Sequence, residues 1–335
     1  MVPAGRAPVL LDFPGVTHHD REAARRRSIA IRLAIAGATL LLLDLARRTF
    51  RVSRLFAPAR EPAAGWQPEA YGIPSSQVEE LSFETEDGEL LHGWYCRTER
   101  PIGSVLYFHG NSGNLTTAAP VIPHLLDSGL NVLMFDYRGY GKSTGRPSLS
   151  GIIRDGIDAA RLHETLRPAG LPSVLYGFSM GGAIAAQVLR RHSFDGLIFQ
   201  STFTTLSDIA KVAYPQLPLH LLSGSFFDTT GVVERLSLPV LFLHGSHDEV
   251  CPPWMAQTLH DLCPSANRQM LMVEGGLHKD LFEREPQQLI GTLRKFVSSI
   301  PAGEATLDVP TSPLEKLVDG SFRRLRRLCR RKKRR

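Results

Sequence analysis

Six short runs of continuously apolar residues recur through the middle of this chain, and they limit what it can fold into more than any other feature. They are Val105–Phe108, Val132–Phe135, Val174–Tyr176, Leu197–Phe199, Val240–Leu243 and Met270–Val273. Runs this short, without a polar alternate, are what strands buried on both faces look like. Helical stretches fall between them, near Ala118–Ser128, Gly151–Leu166, Met180–Arg191, Trp254–Leu262 and Pro286–Ser299. Strand alternating with helix predicts an α/β class: a mainly parallel sheet with helices on both faces. Ahead of these runs, LSFETEDGELLHGWYCRT (Leu81–Thr98) places Asp87-Gly88 between two β-rich segments. That is a hairpin signal, and it puts an antiparallel pair at the N-terminal edge of the sheet. No internal repeat is visible.

The chain has 335 residues, 43% of them hydrophobic, which is enough for one large core plus extensions. Its formal net charge of +6 is unevenly spread. Ser321–Arg335 carries ten Lys and Arg with no acid, and the residues before Glu61 carry eleven Arg against four acids. The body between them is therefore acidic, which argues against a nucleic-acid partner gripped by a basic folded face. The four cysteines, Cys96, Cys251, Cys263 and Cys329, show no metal-ligand spacing. They read as free thiols in a reducing compartment, with a Cys251–Cys263 bridge as the alternative.

The N-terminal region (1–50) contains SIAIRLAIAGATLLLLDLA (Ser28–Ala46) between arginine clusters. Its uncharged core, Leu33–Leu43, is shorter than the roughly twenty residues that span a bilayer. Including Ile29 to Ala46 reaches that length but takes in Arg32 and Asp44. Three readings compete: a single-pass anchor, an interfacial helix with Arg flanks, and a secretory signal. No cleavage site follows closely, so membrane association is the expectation. Both flanks are basic, so the charge count leaves orientation open, and the cytoplasmic side is favoured for the body. Residues 51–76 read as a Pro/Ala-rich linker, and 301–335 as a linker and basic tail. In the tail, Phe322, Leu325 and Leu328 recur at helical spacing among arginines. That pattern suits contact with anionic lipid, and Cys329 is a candidate for acylation.

Chemistry in open parallel sheets gathers at the carboxyl ends of the strands. There, Val174–Tyr176 runs into Gly177-Phe178-Ser179-Met180-Gly181. This is the G-x-S-x-G pattern of a serine presented on a sharp strand-to-helix turn. The run Val240–Leu243 ends in His244-Gly245-Ser246-His247-Asp248-Glu249, and Met270–Val273 leads to Gly275-Gly276-Leu277-His278-Lys279-Asp280. Ser179, Asp248 and His278 thus follow one another in the order nucleophile, acid, base. Glu249 is a rival acid. His247 reads as a surface residue, and Asp280 as a cap for the next turn. His109-Gly110-Asn111 ends the first run. The N–H groups of Asn111 and Met180 are the expected oxyanion donors, with His109 bracing the loop. Asp136-Tyr137-Arg138-Gly139-Tyr140-Gly141 reads as a turn, and no P-loop or G-x-G-x-x-G is present.

The pieces FHGNSGN (Phe108–Asn114), DYRGYGKSTGRPS (Asp136–Ser148), GFSMGG (Gly177–Gly182), LFLHGSHDEVCP and GGLHKD occur in order. With STFTTLSDIA and YPQLP they make residues 77–300 resemble an α/β-hydrolase domain. The resemblance is to the Bem46-like kind, akin to α/β-hydrolase domain-containing protein 13. It implies a serine hydrolase with Ser179, Asp248 and His278 as its triad, no cofactor and no metal. It also implies an N-terminal membrane segment. Cys251 and Lys279 depart from the pattern, as does the basic tail. Thr202–Leu236 interrupts the strand–helix rhythm and is rich in large apolar residues, among them Phe203, Tyr214, Leu217, Leu219, Leu221, Leu222, Phe226 and Phe227. It is expected to form a lid, either over the substrate or simply packed on the sheet. The expected reaction is cleavage of a carboxylic ester or thioester, with a lipid or other acyl substrate. Peptidase or acyltransferase chemistry on the same site is the alternative, and a non-catalytic tethered scaffold is a third.

Overall fold

The computed structural model describes residues 26–33, 37, 56–216 and 227–301. The chain divides into two compact units, residues 1–51 and 52–335. In the first, residues 26–33 are helical, with Ile29, Ile31 and Leu33 exposed. The rest of the Ser28–Ala46 run, Gly37 apart, lies outside the described residues, as does the basic tail with Cys329. Among the described residues no helix is long and apolar enough to cross a membrane.

The second unit is built on an eight-stranded sheet. Its strands are β1 (Val78–Glu84), β2 (Leu90–Cys96), β3 (Gly103–Phe108), β4 (Leu130–Phe135), β5 (Ser173–Phe178), β6 (Gly196–Gln200), β7 (Val240–Gly245) and β8 (Arg268–Val273). Their spatial order is β8-β7-β6-β5-β3-β4-β2-β1. The pairs β1–β2 and β2–β4 are antiparallel, and all the others are parallel. Each of the six apolar runs is a strand of this sheet, and the hairpin occupies its edge.

Because side chains alternate along a strand, the apolar runs feed two cores at once. Leu106, Phe108, Leu133, Phe135, Leu175 and Phe199 face one side. There they meet helices α2 (Leu149–Leu166), α3 (Met180–Leu189) and α5 (Pro253–Leu262). Val105, Tyr107, Val132, Met134, Val174 and Tyr176 face the other, against α1 (Ile122–Asp127) and α6 (Pro286–Ser298). Full burial of each such apolar side chain contributes about 1.5–3 kcal/mol. The helix expected over Ala118–Ser128 is split. A short turn at Leu115–Ala118 and a 3-10 turn at Ala119–Val121 precede α1. Pro120 and Pro123 cause the break, since neither can donate a backbone hydrogen bond.

Residues 56–75 do not behave as a spacer. Phe56 and Ile73 are buried. Ala57–Pro58 pairs in parallel with Ser112–Gly113, and the Ala57 N–H donates to the Asn111 carbonyl at 2.9 Å. Arg60 donates to the carbonyls of Gly141 and Ser143, and Trp66 meets the His92 ring edge-on at 5.4 Å. A composition typical of linkers thus conceals a packed strap.

The segment 202–236 packs on the body in its described parts. The helix α4 (Leu206–Ala213) leans Ile209 and Val212 on the core, and Phe203, Phe227 and Val233 are buried within it. Leu217, Leu219, Leu221, Leu222 and Phe226 lie outside the described residues.

Arg138 clamps the hairpin turn to α2. It is buried and bonds Asp155 through Nε at 2.8 Å and Nη2 at 2.7 Å. Its Nη1 and Nη2 also grip Asp87 at 3.0 and 2.9 Å. The Arg138 guanidinium holds the Asp87 carboxyl well down, to about 2. A carboxylate whose folded value is depressed stabilises the fold above its unfolded value, and that contribution fades as pH falls towards the folded one. Arg138→Met strands the buried Asp155 without its cation. We expect a loss of about 3–5 kcal/mol in urea unfolding at neutral pH. Burial holds the Asp155 carboxyl up, at about 6 even beside Arg138, so its part of the difference between variant and parent should fade as the pH falls towards 6, and the Asp87 part between about 4 and 2. Equal midpoints at neutral pH would refute the clamp.

Candidate active site

Ser179 stands between β5 and α3 with φ 54° and ψ −119°, a region that L-residues rarely enter. The turn closes because its neighbours carry no side chains. A Cβ at Gly181 would collide with the Phe108 carbonyl, and one at Gly177 with Gly182. The Ser179 N–H donates to the Gln200 carbonyl at 2.9 Å. The Thr202 hydroxyl donates to the Ser179 carbonyl at 2.7 Å. Both bonds tie the turn to β6 and the loop after it. The N-terminus of α3 lies directly behind Ser179, so its dipole favours negative charge there.

The loops after β7 and β8 bring Asp248 and His278 to the same point. His278 Nε2 lies 3.1 Å from the Ser179 hydroxyl oxygen. His278 Nδ1 lies 2.8 Å from Asp248 Oδ2. All three side chains are buried. The other carboxylate oxygen of Asp248 accepts the Val250 and Cys251 N–H groups at 2.9 and 2.8 Å. With Asp248 on Nδ1, that nitrogen carries the imidazole proton and Nε2 presents its lone pair to Ser179. Phe178 packs on the His278 ring at 5.1 Å.

The rival assignments separate cleanly. Glu249 and His247 are exposed. Asp280 stands at the N-cap of the helical turn that follows it, but its side chain makes no capping bond. It accepts the Leu277 N–H at 2.6 Å instead, and so holds the loop that carries His278. His109 donates from Nδ1 to the Gly110 carbonyl at 2.8 Å. Burial pushes its imidazole below the ordinary value, with Asp136 opposing. That bond fixes the peptide unit whose N–H belongs to Asn111. Asn111 lines a cavity of about 430 Å³ with Ser179 and His278. Met180 is the first residue of α3, where backbone N–H groups lack helical partners.

Two features are not visible in the sequence. Asp136 is fully buried, accepts the Leu115 N–H at 2.6 Å, and lies between the His92 and His109 rings. His244 reaches the Cys251 carbonyl at 2.7 Å, with Asp248 Oδ2 3.3 Å away. Burial pushes its imidazole down, so it donates as a neutral ring and backs the loop that carries Asp248. None of the described residues of 202–236 lines the cavity. Its walls come from the loops around Asn111 and His278, with Val121, His124 and Phe282 between them. The residues of the site form no His, Cys, Asp or Glu group able to hold a metal ion, and none occurs among the described residues.

Cys96, Cys251 and Cys263 are free and buried, so the Cys251–Cys263 bridge is not formed. Burial pushes Cys96 up to about 12 and Cys251 higher still, where the Asp248 charge adds to the effect. A thiol held protonated is a poor nucleophile. Native protein treated with iodoacetamide at pH 8 should therefore leave these three unlabelled in peptide mass spectra, with labelling appearing only after denaturation. Rapid native labelling of Cys251 would contradict this.

Residues 103–227 match the alpha/beta hydrolase fold family and residues 228–285 the serine aminopeptidase S33 family. The uncharacterized protein YfhR of Escherichia coli is 32% identical over 223 residues, which cover 63% of this chain and 77% of YfhR. The uncharacterized membrane protein YNL320W of Saccharomyces cerevisiae is 32% identical, covering 64% of this chain and 76% of its own. The alpha/beta hydrolase domain-containing protein WAV2 of Arabidopsis thaliana is 33% identical over 271 residues, covering 74% and 85%. Among solved structures, the Pyrococcus furiosus esterase Pf2001 superposes with a TM-score of 0.61 at 19% identity, over 74% of this chain and 98% of that one. A fold of this topology, with a serine at the β5–α3 turn and relatives of this extent, identifies the chain as a member of the alpha/beta hydrolase superfamily.

Proposed function

We propose that this hydrolase is a serine esterase or thioesterase that works through Ser179, His278 and Asp248. The observation that carries the reading is the unbroken hydrogen-bond chain from the Ser179 hydroxyl through His278 to Asp248, at the mouth of a cavity. The Ser179 oxygen attacks the carbonyl carbon while its proton passes to His278 Nε2. Asp248 supports the imidazolium that results. The carbonyl oxygen becomes an oxyanion, received by the Asn111 and Met180 N–H groups. Collapse of the tetrahedral intermediate breaks the ester bond, and His278 returns its proton to the departing oxygen or sulfur. Water, deprotonated by His278, then attacks the acyl-enzyme and frees the acid and Ser179. Nothing in this sequence of steps calls for a metal or an organic cofactor.

The match of residues 228–285 to the serine aminopeptidase family supports a second reading, peptide hydrolysis on the same site. Comparing a p-nitrophenyl ester with the corresponding aminoacyl p-nitroanilide separates the two. We also propose kinship to the Bem46-like group, which the ordered motifs from Phe108 to Asp280 support. We further propose attachment to a membrane through the Ser28–Ala46 run, with the basic tail as a second lipid contact. The apolar run and the description of the yeast relative as a membrane protein support this.

A fluorophosphonate probe should label the wild-type chain and leave Ser179→Ala unlabelled. Asp248→Asn, which removes the charge and frees the wrong tautomer, should lower kcat about 10⁴-fold. Equal labelling of Ser179→Ala would overturn the assignment of the nucleophile. Deleting residues 28–46 should move the protein from the membrane pellet to the supernatant on cell fractionation. An unchanged distribution would remove the anchor from the reading.

A further inference from the structure

The cavity is lined by two polar atoms that no other group engages among the described residues. Tyr107 lies on β3 level with Tyr176 on β5, and Gln200 ends β6 level with Phe178. Strand alternation turns all four side chains to the same side of the sheet. Tyr107 and Gln200 are 3% and 4% exposed, and both line the cavity with Ser179 and His278.

The Gln200 amide has a fixed orientation. The Tyr176 hydroxyl donates to its Oε1 at 2.6 Å, which leaves the Nε2 end with its two N–H donors. Tyr176 is itself held by stacking on Tyr107 at 4.9 Å. Among the described residues, neither Gln200 Nε2 nor the Tyr107 hydroxyl has a hydrogen-bond partner. Sealed unpaired atoms do occur in this core, Trp94 Nε1 and Ser201 Oγ among them, but these two border the open cavity. Burial pushes the Tyr107 phenol far up, so it stays a neutral donor. The charged residues of the lining, Lys279 and Glu283, are exposed at the rim. Both atoms open onto the cavity, so an acyl chain that fills it without an acceptor strips them of solvent and leaves them unpaired, while one that brings an oxygen takes up their bonds.

We propose that Tyr107 and Gln200 are specificity residues that select an acyl group bearing an uncharged acceptor oxygen, a hydroxy- or oxo-acyl ester, over a plain alkyl chain of the same length. The proposal rests on Ser179 being the nucleophile of the same cavity. A site built to hydrogen-bond an oxygen rejects the analogue lacking it far more strongly than an apolar pocket rejects a missing methylene. A carboxylate-bearing acyl group is disfavoured because, among the described residues, no buried cation lines the cavity.

The test compares kcat/KM for p-nitrophenyl butyrate, p-nitrophenyl 3-hydroxybutyrate and mono-p-nitrophenyl succinate. Each enzyme is labelled in parallel with the fluorophosphonate probe. The wild type should prefer the hydroxy ester over the butyrate by about tenfold or more, and the succinate should be the poorest of the three. Gln200→Met and Tyr107→Phe should each bring the hydroxy-to-alkyl ratio down towards one. A probe-labelled wild type that takes the butyrate as well as the hydroxy ester overturns the proposal and leaves the nucleophile standing. A preference that survives undiminished in both variants also overturns it. No labelling and no turnover of any ester overturns the nucleophile, and the proposal with it. Should either variant fail to fold, the wild-type ratio and the rank of the succinate decide alone.

Discussion

The carboxyl edge of this domain is organised around one strained residue. Ser179 is held at a backbone angle that its own side chain disfavours, and three neighbours keep it there. Gly177 and Gly181 leave room for the turn, while β6 supplies the carbonyl that takes its N–H. The strain is therefore offset by the parallel pairing of β5 with β6 and by the packing of α3 on the strands beneath it. If that pairing slipped by one residue, Gln200 and Ser179 would part, and this part of the cavity lining would be lost with the turn.

The sheet also divides labour between its faces. One face is filled by helices whose apolar sides close against it. The other is filled only partly, because prolines break the segment between β3 and α1 and leave loops there. The cavity occupies that gap. Strand residues that would serve as ordinary core under a full helix border open space instead, and their polar ends meet whatever enters. Substrate choice in this reading is set by the sheet and not by the segment 202–236, whose described residues serve the opposite core.

Much of this was legible in the sequence, for identifiable reasons. A strand buried on both faces has no polar alternate, so the six runs announced the parallel sheet. Ser179, Asp248 and His278 stood out because each follows such a run directly, and hydrogen bonds join the three. Other residues gave no signal. Tyr107 and Gln200 give no sign in the sequence of anything but a strand end, and only the register between strands brings them to the cavity that Ser179 lines. Asp136 reads as a turn residue, yet it sits buried between two histidine rings because the chain folds back over it. The strap at 56–75 was hidden by its prolines and alanines. Its few anchors, Phe56, Trp66 and Ile73, are too sparse to form a period that a sequence could display.

That strap has a mechanical meaning. Ala57 and Pro58, which pair with Ser112–Gly113 and through the Ala57 N–H bond the Asn111 carbonyl, precede every strand of the eight-stranded sheet along the chain. A pull on the polypeptide upstream of Phe56 is borne first by that bridge and by the seat of Phe56 in the core. The loop at the cavity wall therefore feels such a load before the sheet does. Tension along the N-terminal chain and the shape of the cavity are coupled through two residues of backbone.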